Sequence, residues 1–175
     1  MKRKTVTIFG SSLPKPGEQE YEDAYQFGKL LAQNNLNVCT GGFQGIMDGV
    51  SKGASEIGTE SIGITVDLFN ALPSKNLSKE IKCATLFERI EKLIEYGDAF
   101  IILPGGTGTL VELSLVWEFI NKGLMNKKPI ACFGSMWKSI TEEMEKRIFA
   151  ENRATGLVSY FDDIEKCTKF IVRKI

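Results

Sequence analysis

Leu103-Pro104-Gly105-Gly106-Thr107-Gly108-Thr109-Leu110-Val111-Glu112 decides the reading of the fold. The apolar run before it, Ala99 to Leu103, reads as a buried parallel strand, and Leu110 to Lys122 after it reads as a helix. Between them stand three glycines within four residues. Without Cβ atoms the backbone can approach a ligand closely, and the first N–H groups of the helix point at any anion held there. The carboxylate of Glu112 falls about one turn into that helix. The loop suggests binding of a phosphate, and the glutamate suggests chemistry.

Working outward, strands and helices alternate. Thr5 to Phe9 reads as a strand, Gly10 to Gly17 as a loop, and Glu18 to Asn34 as a helix with Tyr21, Ala24, Tyr25, Phe27, Leu30 and Leu31 at helical spacing. Leu36 to Cys39 is a second strand, leading into Thr40-Gly41-Gly42-Phe43-Gln44-Gly45. Ile46, Met47, Val50, Ala54 and Ile57 mark the next helix, which Gly58 closes. Ser61 to Val66 is a strand, and Asp67 to Lys79 is the least regular segment. Glu80 to Thr85 reads as a short strand before a helix from Leu86 to Tyr96. Beyond the glycine loop come a strand at Pro129 to Phe133, an amphipathic helix at Trp137 to Ala150, and an apolar piece at Val158 to Phe161. Asp162 has the chemistry of an N-cap for a last helix to Val172. The pattern predicts a three-layer α/β Rossmann-like fold, a mostly parallel sheet flanked by helices, over residues 1–175 as one domain. Three glycine-bearing loops leave the carboxyl ends of predicted strands and so converge on one edge, where such folds bind ligands.

Composition removes several function classes. Lys+Arg and Asp+Glu both number 22 in 175 residues, so no global field recruits nucleic acid or a membrane surface. No run approaches the roughly 20 apolar residues of a membrane span, and the N-terminal basic stretch from Met1 lacks the apolar core of a signal peptide. Cys39, Cys83, Cys132 and Cys167 are too dispersed for a metal-binding motif and read as buried thiols of a cytoplasmic protein. Histidine is absent, which excludes Ser-His-Asp and Cys-His catalysis and His-ligated zinc. Neither a P-loop G-x-x-x-x-G-K-[ST] nor a dinucleotide G-x-G-x-x-G in the first turn is present. No acidic residue follows Val38-Cys39-Thr40 to hold a ribose 2′-hydroxyl. No metal and no cofactor is expected.

Pro104-Gly105-Gly106-Thr107-Gly108-Thr109-x-x-Glu112, with Phe9-Gly10-Ser11-Ser12 and Gly41-Gly42-Phe43-Gln44-Gly45-Ile46-Met47 upstream, resembles the Lonely Guy family of cytokinin riboside 5′-monophosphate phosphoribohydrolases. Members of that family are often mislabelled lysine decarboxylases. The resemblance runs from about Ile8 to Val172. It implies cleavage of the N-glycosidic bond of a nucleoside 5′-monophosphate, AMP-like or N6-modified, to free base and ribose 5-phosphate. It implies Arg89 and Glu112 as the catalytic pair and a homodimer as the working unit. The signature glycines and threonines, Gly105, Gly106, Thr107, Gly108 and Thr109, would hold the phosphate, with Ser11, Ser12, Gly41 and Gly42 contributing to phosphate or ribose. Leu86, Phe87 and Ile90 replace the family's methionine, histidine and lysine around Arg89, and Leu86 and Phe87 are expected to border the base. Thr40 stands where the family has the first glycine of its triplet.

Plainer readings coexist with these. Thr109 and Glu112 also fit a capping box, and Arg89 fits a solvated helix arginine paired with Glu88 or Glu91. Asp48 and Glu88 read as exposed helix charges, and Trp117, Phe119 and Ile120 as core or subunit interface. The competing function is a non-catalytic carrier of a nucleotide or of the molybdenum cofactor. Decarboxylation through pyridoxal phosphate has no support, because no lysine can be assigned to such a cofactor.

Overall fold

The computed structural model describes residues 3–69 and 71–175. Met1 and Lys2, in the N-terminal stretch, and Asn70, in the irregular segment, lie outside the described residues. The elements are β1 (Thr5–Phe9), α1 (Gln19–Gln33), β2 (Asn37–Thr40), α2 (Ile46–Ile57), β3 (Ser61–Val66), β4 (Lys79–Cys83), α3 (Leu86–Tyr96), β5 (Ala99–Ile102), α4 (Thr107–Asn121), β6 (Ile130–Phe133), α5 (Ser135–Ala150), β7 (Val158–Phe161) and α6 (Ile164–Lys174). A single 3₁₀ turn, Asp67–Phe69, follows β3.

The sheet order is β4-β3-β2-β1-β5-β6-β7, and every pairing is parallel. The chain therefore winds outward from β1 to β4 and returns to place β5 on the other side of β1. The strand order reverses between β1 and β5, so a crevice opens there at the carboxyl ends. Both loops flanking it carry the glycines singled out above.

Alternation along the strands divides the core between two layers. Val6 and Ile8 of β1, with Ala99, Ile101 and Leu103, pack under α1, α2 and α6 against Phe27, Leu31, Val50 and Ile171. Phe9, Phe100 and Ile102 face the other way and pack under α3, α4 and α5 against Leu93, Val116, Trp117 and Trp137. All four cysteines are free and buried. No described helix is long and apolar enough to cross a membrane.

Helices α1 and α2 touch backbone to backbone. A Cβ on Gly53 would lie 2.1 Å from the Tyr25 carbonyl oxygen, and one on Gly28 would lie 2.1 Å from that of Val50. This close approach lets the Tyr21 hydroxyl of α1 reach Asp48 of α2 at 2.5 Å.

Several local readings need correction. Helix α4 starts at Thr107, not Leu110, with Gly106 in the capping position and no side-chain cap. Glycine's low helix propensity argued for a later start, but burial of Thr109 in the first turn outweighs it. Thr109 is thus the third helical residue, and the proposed capping box with Glu112 does not form. A side-chain cap stands instead at α3, where Thr85 Oγ1 accepts the Glu88 N–H at 3.1 Å and the Glu88 carboxylate reaches one residue further back to accept the Ala84 N–H at 2.8 Å. At α6 the cap is Asp163, which accepts the Lys166 N–H at 2.7 Å, while Asp162 is exposed one residue too early. Asp48 and Glu88 are accordingly not free helix charges.

The α1–α2 contact yields a first prediction. Gly53→Ala should force the helices apart and cost about 1–3 kcal/mol. Thermal melting would show this as a drop of several degrees.

Candidate functional site

A cavity of about 440 Å³ opens at the β1–β5 switch point. Gly10 to Leu13 form one side after β1, and Gly41, Phe43 and Met47 come from the β2–α2 turn. Phe69 and Ala71 follow β3, Arg89 reaches in from α3, and Gly106 to Thr109 with Glu112 close it from α4. Ser11 ties three of these walls together through its backbone. Its N–H donates to the Pro104 carbonyl at 3.0 Å, and its carbonyl accepts the Ile46 N–H at 2.9 Å.

Arg89 is buried, at 7% exposure, and the reading of a solvated arginine does not hold. Its Nε donates to the Ile64 carbonyl at 2.8 Å and its Nη2 to the Gly41 carbonyl at 3.2 Å. The guanidinium carbon lies 5.6 Å from the ring centre of Phe43 and 5.7 Å from that of Phe69. Gly41 is glycine for a steric reason, since a Cβ there would stand 1.9 Å from Nη2. Two of its five N–H donors are spent on carbonyls, and no further acceptor meets the guanidinium among the described residues. Burial pushes the guanidinium pKa down, and the charge of Glu112 opposes that shift.

Glu112, at the base of the cavity, has its pKa pushed up to about 7 by burial, with the Arg89 charge pulling the other way. No salt bridge joins the two side chains among the described residues. A carboxyl held near neutrality is chemically suited to taking or giving a proton.

The glycines of the signature fall into two kinds. Gly105 serves the fold, because a Cβ there would lie 2.2 Å from Thr109 Oγ1. A Cβ on Gly106 or Gly108 would meet nothing within 4 Å, and neither residue has a positive φ. Nothing inside the protein requires glycine at those two positions. They leave bare backbone at the start of α4, where the N–H groups of Thr107, Gly108 and Thr109 have no intrahelical acceptor and Leu110 is the first to find one, at Gly106. An anion is the natural partner for such a cradle.

Most of the expected site residues thus come together. Ser11, Ser12, Gly41, Arg89, Gly106, Thr107, Gly108, Thr109 and Glu112 all border the cavity. Gly42 and Gly105 stand behind it, shaping the turns. Leu86 and Phe87 do not border it, and Phe87 is 85% exposed. The apolar lining comes instead from Leu13, Phe43, Met47, Phe69 and Ala71. Phe43 and Met47 lay within a motif already noted, but Phe69 and Ala71 lie where the sequence shows no periodicity. Among the described residues no group of three or more Cys, Asp or Glu side chains is arranged to hold a metal ion.

Residues 3–167 match the SLOG cluster4 family, and the chain belongs to it. The likeness to Lonely Guy proteins read from the motifs holds across the sequence. A cytokinin riboside 5′-monophosphate phosphoribohydrolase of Rhodococcoides fascians is 31% identical over 128 residues, covering 71% of this chain and 65% of that protein. One from Arabidopsis thaliana is 26% identical over 190 residues, covering 97% of this chain and 87% of its own length. Against the first curated relatives the chain spans about 55–65% of their length. Among solved structures, the molybdenum cofactor binding protein of Rippkaea orientalis superposes with a TM-score of 0.78 at 23% identity, covering 98% of this chain and 96% of that one. The molybdenum cofactor carrier protein of Chlamydomonas reinhardtii gives 0.79 at 19%, covering 98% of each. These likenesses establish the fold.

The open glycines yield a second prediction. Gly108→Ala should raise stability by about 0.4–1 kcal/mol, because alanine favours the helix. Where the cradle takes a phosphate ester, the added methyl should weaken its binding roughly tenfold, seen by calorimetric titration.

Proposed function

We propose that this protein hydrolyses the N-glycosidic bond of a nucleoside 5′-monophosphate, AMP-like or N6-modified, releasing free base and ribose 5-phosphate. The observation that carries this reading is the meeting in one cavity of the Glu112 carboxyl, its pKa pushed up to about 7, a fixed cation and an open glycine cradle. The 5′-phosphate would sit on the N–H groups of Gly106 to Thr109, helped by the Thr107 and Thr109 hydroxyls. Ser11 and Ser12 would line the ribose side. Arg89 would then lend its free N–H groups to the sugar or phosphate.

In the reaction the bond between C1′ and the base nitrogen breaks, and its electron pair leaves with the base. Positive charge develops at the sugar, which the Glu112 carboxylate stabilises. A water molecule bonds to C1′ and loses its proton to the same carboxylate, the departing base takes up a proton from solvent, and Glu112 then returns its own proton to solvent. The apolar lining of Leu13, Phe43 and Phe69 suits a planar base.

Because the Glu112 pKa is raised, the carboxylate needed as base is present above about pH 7 and lost below it. The rate, kcat/KM, should therefore rise with pH through that value. Glu112→Gln should abolish turnover while retaining nucleotide binding. The decisive assay offers a panel of nucleoside monophosphates and looks for free base and ribose 5-phosphate. Tight binding without cleavage would select the alternative, a non-catalytic carrier of a nucleotide or of molybdenum cofactor.

We further propose a homodimer. Exposed apolar side chains recur on the three helices of one layer: Leu86 and Phe87 on α3, Leu110 and Val111 on α4, and Met136 and Met144 on α5. Phe87→Glu should shift sedimentation from a dimer to a monomer. The unpaired thiols support a cytoplasmic location.

A further inference from the structure

Outside the cavity, one carboxylate gathers three side chains from two distant segments. Asp48 lies in the first turn of α2, where the helix dipole favours a negative charge. One of its oxygens accepts the Tyr21 hydroxyl at 2.5 Å. The other accepts the Ser74 hydroxyl at 2.5 Å and the Asn76 amide at 2.9 Å. Burial and then the neighbouring carboxylate raise the Tyr21 pKa, so the phenol stays a donor.

Ser74 and Asn76 belong to the irregular stretch between β3 and β4. The Ser74 N–H donates to the Gly42 carbonyl at 2.9 Å, and the Gln44 amide reaches the Leu72 carbonyl at 3.1 Å. Leu77 fills the space that a Cβ on Gly63 would take, 2.4 Å from its Cδ1. The stretch has no ladder or helix of its own from Ala71 to Lys75, so these side-chain anchors fix its path. Just upstream, Ala71 borders the cavity, and Phe69 packs edge-on against Phe43 at 5.8 Å and over Arg89. On its downstream side the wall beside the guanidinium is thus tied to α2 and the turn before it.

We propose that Asp48 is a positioning residue of the site: by holding Ser74 and Asn76 it sets the wall carrying Phe69 and Ala71, and through Phe69 the shielding of Arg89. For its effect on substrate this inference rests on the glycosidic reading, but its effect on Arg89 does not. Hydrogen bonds to a charged acceptor are among the stronger ones, so their loss loosens the stretch selectively.

The test uses Asp48→Asn and the double variant Ser74→Ala/Asn76→Ala, which removes the donors without touching α2. Phenylglyoxal labelling of Arg89, mapped by mass spectrometry, should quicken about tenfold in both. Amide exchange should rise across residues 71–78 and stay unchanged in β1 and β5. With a cleaved nucleoside monophosphate, KM should rise about tenfold and kcat change by less than about threefold. Labelling and exchange at wild-type rates in the double variant would overturn the proposal, as would exchange rising equally across the whole sheet. If the wild type cleaves no nucleotide but Arg89 labelling still responds, the glycosidic reading falls and the positioning role stands.

Discussion

A buried guanidinium is the constraint around which this site is arranged. Removing a cation from water is costly unless its donors are met and its charge is balanced. Arg89 meets the cost with the Ile64 carbonyl inside β3 and the Gly41 carbonyl just after β2, two aromatic rings and the charge of Glu112 across the cavity. Each partner constrains its own neighbourhood. Gly41 has no room for a side chain, and Phe43 and Phe69, packed edge-on against each other, lie together beside the guanidinium. The cation in turn keeps the Glu112 pKa from rising as far as burial alone would drive it.

The topology delivers these groups to one place. Because β5 returns beside β1, the loops after both strands face each other, and the Ser11 backbone links them to each other and to α2. Parallel strands buried on both faces make the edge rigid, while the functional side chains come from the loops and helix starts beyond it. Close α1–α2 packing belongs to the same logic, since it sets where α2 begins and therefore where its first-turn carboxylate stands.

The fold was largely legible because its signals are local and repeated. Apolar strands alternated with amphipathic helices, and glycines punctuated the carboxyl ends. Positions such as Ser11, Arg89 and Glu112 were legible as motif residues, and the cavity brings them together. The illegible parts depend on long-range contacts. The start of α4 turned on burial of Thr109 against the weak propensity of Gly108. Asp48 looked like a surface charge because its partners, Tyr21, Ser74 and Asn76, are more than twenty residues away. Phe69 and Ala71 carried no periodic signal, so the apolar wall could not be anticipated, and Leu86 and Phe87, adjacent in sequence to Arg89, point elsewhere.

The absence of histidine acquires another meaning beside Glu112. In most proteins imidazoles spread over the surface absorb and release protons around neutrality. Here the chain has none, and a carboxyl titrating near 7 lies inside the cavity. The side chain whose pKa burial carries into that range thus stands in the candidate site. An anion seated in the cavity beside Glu112 would favour the protonated carboxyl, so binding there would be coupled to proton uptake.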